Sequence, residues 1–278
     1  MKKDKSTLLI TGAGGWLGSS LLELSKEKFF TDNFNKVILC TLQKNEVISK
    51  YKNKNISQSS PIKLIWIYGN LLSEKFYSDL EEIISKEETI KVIYAASIIH
   101  AKTSKDYFKF NYESLKIFIN RINKFNLLKF LYISSNSPFG FNNSRPPFNE
   151  NSEYQPIGNY GESKKLAEEL LLSFFESKVL NIVRPPWFHG INMPERQKLF
   201  LKKAAFGNFP IIFPGKNKRS IINTKDLALA SINLITRPSK RTIYWICEER
   251  SISMKRYIEI IQKSSNKLNY KNSKVSKF

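Results

Sequence analysis

The stretch from Ser6 to Gly18 limits the fold more than any other. Six residues of strand length, STLLIT, run straight into Gly12-Ala13-Gly14-Gly15-Trp16-Leu17-Gly18, and a helical pattern follows at once. Glycines at positions 12, 15 and 18 of one strand-to-helix turn answer three demands: a tight turn, close approach of backbone to a ligand, and close packing of helix on strand. A helix that starts there offers backbone N–H groups and the positive end of its dipole to an anion such as a pyrophosphate. A turn selected for packing alone would carry similar glycines, but this one opens an alternating series, where the ligand reading is favoured.

The series continues through the apolar runs KVILCTL, IKLIWIY, KVIYAAS and KFLYISS. Between them lie stretches of helical period such as EKFYSDLEEIISK and SLKIFINRINKF. Strands this continuously apolar belong to a parallel sheet covered by helices on both faces. The expected fold is α/β, a Rossmann-like doubly wound parallel sheet over residues 1–184. A small C-terminal substrate-binding region is expected over 185–278, with some segments returning to the sheet. After Ser135 comes a long loop rich in Asn, Pro and Gly, of the kind that carries function. Helices are expected over about 159–177, 226–236 and 253–264, and the polar, basic end KLNYKNSKVSKF is expected to fray.

In this setting the glycine turn points to NAD or NADP, held by Gly12, Gly14, Gly15, Trp16, Leu17 and Gly18. NAD-binding turns of this type have an acidic residue roughly 20 residues on, at the end of the second strand, to hold the ribose hydroxyls. Here Leu39-Cys40-Thr41-Leu42-Gln43-Lys44 has no carboxylate, and the nearby Lys44 would tolerate a 2′-phosphate, which tips the expectation slightly toward NADP.

Tyr160 and Lys164 stand four apart, on one helix face. A free phenol, with a pKa of about 10, is too weak a base at neutral pH, but a nearby ammonium and an oxidised nicotinamide favour its phenolate. Tyr160 could then move the substrate proton while Lys164 lowers its pKa and binds the ribose. Ser135 ends the strand KFLYISS at the carboxyl edge, where open α/β sheets bind ligands, and its hydroxyl could bridge Tyr160 and the substrate oxygen. The expected catalytic residues are Ser135, Tyr160 and Lys164.

With these motifs in order, the chain resembles an extended short-chain dehydrogenase/reductase of the NAD-dependent epimerase/dehydratase family. The likeness runs from TGAGGWLG through YGNL, VIYAAS, Asn111, YISSNSPFG, YGESK and RPPWFHG to KRSIINTKDLA. It implies that Asn70 and Leu71 lie by the adenine, that Ala95 and Ala96 line the cofactor, and that Pro185 follows the strand beside the nicotinamide. It also implies that Ser135 and Asn136 touch substrate and that Arg219 contacts a nucleotide-sugar diphosphate. Asn70 stands where the family often has Asp. Sugar-nucleotide dehydratases carry an acidic pair just after the catalytic hydroxyl; Asn136 and Ser137 occupy those positions, which disfavours water elimination. The chain is also short for an extended member.

The function expected is therefore oxidation or reduction at a hydroxyl or ketone carbon, above all in a nucleotide-sugar epimerase or reductase. A ketone reductase of steroid or flavonoid type would use the same residues. The alternative from another class is a non-catalytic Rossmann protein that binds nucleic acid or senses redox state, but such proteins commonly lose the tyrosine or the lysine. Net charge +21 invites an anionic partner; read along the chain, the lysines are scattered, so neither nucleic acid nor membrane is expected. A homodimer stays open. Two cysteines, Cys40 and Cys247, and two histidines, His100 and His189, give no disulfide framework and no metal site. Trp187 and Phe188 are read as packing, whereas Glu195 and Arg196 are within conceivable reach of substrate. With no signal-like core and no apolar run near the ~18 residues of a membrane span, a cytoplasmic protein is expected.

Overall fold

The structure is a computed structural model that describes residues 5–43, 61–85, 87–140, 147–211 and 215–266. Its contacts divide the chain into two compact units. Unit 1 comprises Met1–Pro185 and Lys225–Ile246; unit 2 comprises Pro186–Thr224 and Cys247–Phe278.

Unit 1 is built on seven strands: β1 (Ser6–Thr11), β2 (Phe34–Thr41), β3 (Lys63–Tyr68), β4 (Thr89–Tyr94), β5 (Asn126–Ile133), β6 (Leu180–Arg184) and, numbered along the chain, β10 (Ile243–Trp245). They form one sheet in the order β10-β6-β5-β4-β1-β2-β3, with every pair parallel. This is a Rossmann-like fold. Chain order reverses between β1 and β4, so the crevice where such sheets bind ligands opens above Thr11 and Tyr94, which pair in register. All six residues of β1 are buried, as a central strand covered on both faces requires.

The helices of unit 1 are α1 (Trp16–Glu23), α2 (Lys28–Asn33), α3 (Glu74–Ile83), α4 (Ser104–Phe108), α5 (Ser114–Ile122), α6 (Gly158–Phe174) and α8 (Thr224–Thr236). Between α4 and α5 the backbone makes a π-helical turn, Lys109–Glu113. Leu115, Phe118 and Ile119 of α5 and Ala167 and Leu171 of α6 pack with Val92, Tyr94, Phe130 and Tyr132 of the sheet in a fully buried core. The sheet is longer than its first six strands because β10, from beyond Pro185, adds beside β6: the Thr242 carbonyl accepts the Ile182 N–H at 2.7 Å.

Unit 2 holds two small ribbons. Strand β7 (Trp187–His189) pairs parallel with β9 (Ile221–Asn223), and β8 (Lys218–Arg219) pairs antiparallel with β11 (Ile252–Ser253). Helices α7 (Glu195–Ala205) and α9 (Met254–Asn266) complete it. Its core is aromatic: Trp187 meets Phe200 at 5.0 Å and Tyr257 at 5.8 Å, and Phe200 meets Phe209 at 4.8 Å. Both α8 and α9 occupy the stretches where helical period predicts them. Lys44 and the final KLNYKNSKVSKF lie outside the described residues.

Candidate active site

At the end of β1, Gly12 has φ +67°, and a Cβ there would come within 2.8 Å of the Ala96 nitrogen and 2.9 Å of the Ala95 carbonyl. A Cβ on Gly18 would fall 2.4 Å from the Gly12 oxygen, so α1 can lie this close to the turn only with glycine at that position. Gly15 caps α1 without a side-chain bond, and its N–H donates to the Gly12 carbonyl at 2.9 Å. Gly14 and Trp16 stand on either side of it, and Leu17, in the first turn of α1, is buried. The Thr11 hydroxyl accepts the N–H groups of Ala95 and Ala96, each at 3.2 Å, and so ties β1 to the residues after β4 across the crevice. This turn, closed so tightly on backbone that Gly12 and Gly18 admit no Cβ and leading into the N-terminus of α1, fits a dinucleotide phosphate.

Other expected contacts lie at the same carboxyl edge. After β3, the Asn70 carboxamide oxygen accepts the Leu72 N–H at 3.0 Å, and the Leu71 carbonyl accepts the Tyr77 hydroxyl at 2.6 Å. After β5 and β6, the Asn136 N–H donates to the Pro185 carbonyl at 3.1 Å, which joins a proposed substrate residue to a proposed cofactor residue.

Ser135 and Tyr160 are brought together. The phenol, partly buried, hydrogen-bonds with the hydroxyls of Ser135 and Ser97. Burial raises its pKa; the two hydroxyls pull it back, and the Tyr107 phenol adds to the rise. The Ser135 hydroxyl also contacts Ser137 Oγ at 3.0 Å and accepts the Ser137 N–H at 3.1 Å.

Lys164 is buried and turned toward the sheet. Its Nζ donates to the Tyr132 hydroxyl at 3.0 Å and to the Ile133 carbonyl at 2.8 Å, and it lies 4.5 Å from the centre of the Tyr132 ring. Burial pushes its pKa down to about 7, opposed by the Glu168 carboxylate. In this geometry its bonds go to the strand below Ser135.

Three residues given no role by the sequence reading hold these groups. Ser97, two residues beyond Ala95, reaches Tyr160 and donates to Asn111 Oδ1 at 3.1 Å. Asn111, buried in the π-helical turn, accepts the Ile98 N–H at 2.8 Å and donates to the Ser163 hydroxyl at 3.0 Å. Glu168, one turn beyond Lys164, is fully buried and joins four segments. Arg184 approaches it at 2.7 Å, Tyr154 donates to it at 2.8 Å, and the Ser134 hydroxyl donates to its other oxygen. Arg184 in turn lies over the Phe139 ring at 4.3 Å. The spacing of Tyr160, Lys164 and Glu168, four and four, was the available signal for the last of these.

The remaining residues belong to unit 2. Arg219 is exposed, with its guanidinium 5.2 Å from the Trp187 ring centre. His189 pairs with Glu248 at 2.5 Å, and Glu195 with Lys198 at 2.6 Å. Among the described residues no group of three or more His, Cys, Asp or Glu could hold a metal ion, and no helix is long and apolar enough to cross a membrane.

Residues 8–247 match the NAD dependent epimerase/dehydratase family. The chain belongs to this family. An uncharacterized protein of Sinorhizobium fredii, y4nL, is 30% identical over 266 residues, covering 91% of this chain and 71% of that protein. The N-acetyl-alpha-D-glucosaminyl-diphospho-ditrans,octacis-undecaprenol 4-epimerase of Escherichia coli O157:H7 is 21% identical over 265 residues, 94% of this chain and 72% of that enzyme. Among solved structures, the UDP-glucose 4-epimerase of Thermotoga maritima, crystallised with UDP-glucose, superposes with a TM-score of 0.73 at 17% identity, over 96% of this chain and 84% of that one. The family is NAD-dependent, and its members similar to this chain include nucleotide-sugar epimerases and dehydratases.

Proposed function

We propose that this family member is an NAD-dependent oxidoreductase of the epimerase or reductase kind, acting on a hydroxyl-bearing or keto carbon of a nucleotide-sugar. The observation that carries the reading is the Ser135 hydroxyl on the Tyr160 phenol at the sheet's carboxyl edge, beside the crevice between β1 and β4. Gly12, Gly14, Gly15, Trp16, Leu17 and Gly18 would hold the pyrophosphate, Asn70 and Leu71 the adenine end, and Ala95, Ala96 and Pro185 the nicotinamide end. Bound there, the cofactor would supply hydride acceptance and hydride return at the substrate carbon.

The chain's own residues supply the proton chemistry. Tyr160 takes the proton of the substrate hydroxyl as the carbon is oxidised and gives one back on reduction, while Ser135 bridges phenol and substrate oxygen. Lys164, with its pKa near 7, holds a positive charge for part of the time at neutral pH, which would favour the phenolate and suit a ribose hydroxyl once the amine turns from Tyr132 and Ile133. Ser135 and Asn136 orient the sugar, and Arg219 is the cation assigned to the substrate diphosphate. NAD rather than NADP is proposed, following the family's dependence.

A panel of UDP-, dTDP- and GDP-sugars with Tyr160→Phe as control tests the reading: turnover with one of them and none in the variant, cofactor binding unchanged, is the expected result. Undiminished turnover in the variant would overturn it. Native mass spectrometry then separates the two kinds, since an epimerase keeps its cofactor through purification and a reductase exchanges it.

A further inference from the structure

The scattered lysines of the sequence become unequal once the chain is divided as it folds. By sequence, unit 1 has 30 Lys and Arg against 20 Asp and Glu, whereas the much shorter unit 2 has 15 against 4. A compositional drift toward lysine would charge both units alike. Three of unit 2's four carboxylates pair locally, Glu195 with Lys198, Glu259 with Arg256 and Glu248 with His189, and Lys202, Lys203 and Lys263 stand outside these pairs.

The excess is arranged on helix faces. On α7, Lys198, Leu199, Lys202 and Lys203 share the exposed side, and Leu199 is 53% exposed in their midst, while Phe200 and Ala204 turn inward. On α9, Arg256, Ile260 and Lys263 share an exposed side, with Ile260 40% exposed, opposite the buried Met254 and Ile258. Ile191, just before α7, is 47% exposed. Large aliphatic side chains set among lysines are the composition of a surface that lies on a lipid headgroup layer, aliphatics inserted and cations on phosphates. A surface for single-stranded nucleic acid would present aromatic rings for stacking, but the aromatic rings of unit 2, from Trp187, Phe200, Phe209 and Tyr257, pack on one another.

We propose that unit 2 docks peripherally on bilayers containing anionic phospholipid, through the Lys198–Lys203 face of α7 with the Arg256–Lys263 face of α9. This goes beyond the proposed reaction and does not depend on it. The test is co-sedimentation of the full chain with phosphatidylcholine vesicles, with and without phosphatidylglycerol, over a range of salt. Binding is expected only with the anionic lipid and should weaken as salt rises. Each lysine on an anionic surface contributes about five-fold to partition, so the triple variant Lys198→Gln, Lys202→Gln, Lys203→Gln should lose about a hundredfold. Leu199→Asp should weaken binding by itself. A control triple in unit 1, Lys116→Gln, Lys178→Gln, Lys240→Gln, removes the same charge and should bind as the parent does. Lipid-independent binding, equal loss in both triples, or salt-sensitive binding to RNA or DNA without vesicle binding would each overturn the proposal.

Discussion

Tyr160 and Glu168 stand two turns apart on one face of α6, yet their surroundings are opposite in kind. Around Tyr160 every polar partner is a neutral hydroxyl, and the phenol is only partly buried. Around Glu168 the partners are a guanidinium, a phenol and a serine hydroxyl, and the carboxylate, Arg184 and Ser134 are closed from solvent while Tyr154 is partly buried. A neutral hydroxyl network can rearrange its hydrogen bonds at small cost, because no buried charge is left unpaired when one bond changes. A sealed ion pair does the reverse: it has one satisfied arrangement, and any other strands a charge in low dielectric. The reactive end of the helix is therefore adaptable and the structural end is locked. Lys164, between them, bonds to neither and donates to Tyr132 and Ile133 of β5.

The widest separation of the two ends should come from Tyr160→Phe, which removes one oxygen from the adaptable end. Turnover should fall by at least about a hundredfold, with the thermal midpoint nearly unchanged. Glu168→Ala should do the opposite, losing about 3–5 kcal/mol in denaturant titration because Arg184 is left buried and uncompensated. If both variants lost rate and stability together, the contrast would be broken.

A subtler division concerns Lys164. Its pKa is about 7 in the fold and 10.5 when exposed, so between these values the unfolded chain binds the extra proton and stability rises with pH. In Lys164→Met that rise should flatten, and melts taken at pH 7 and pH 10 would show it. The smallest effect belongs to Ser97→Ala. Loss of one hydroxyl that holds the phenolate, worth about 1 kcal/mol, should move the rising limb of the kcat/KM profile to higher pH by less than about one unit.

Much of this was legible in the residues. STLLIT and its successors announce their strands because burial on both faces demands continuous apolar runs, and Gly12 and Gly18 announce the turn because a Cβ would strike backbone. Ser135 and Tyr160 could be matched by position and spacing. The destination of the Lys164 amine could not, since Tyr132 and Ile133 lie 31 or more residues away and become its partners only through the packing of α6 on β5. Strand β10 was hidden for a related reason: three residues give no period to read. The charge of unit 2 was hidden because two distant stretches, Pro186–Thr224 and Cys247–Phe278, share it, and an average along the chain dilutes both.

The π-helical turn at Lys109–Glu113 carries a consequence for how such a chain tolerates change in length. A π-turn holds one residue more than the α-turn it replaces, and the surplus lets Asn111 face Ile98 and Ser163 at once. Substitutions at Lys109 or Tyr112 leave that register alone. Deleting Tyr112 or Glu113 would make an unremarkable α-helix and rotate Asn111 by about 100° relative to α5. Gaps, more than replacements, should therefore be absent here from any working variant of this protein.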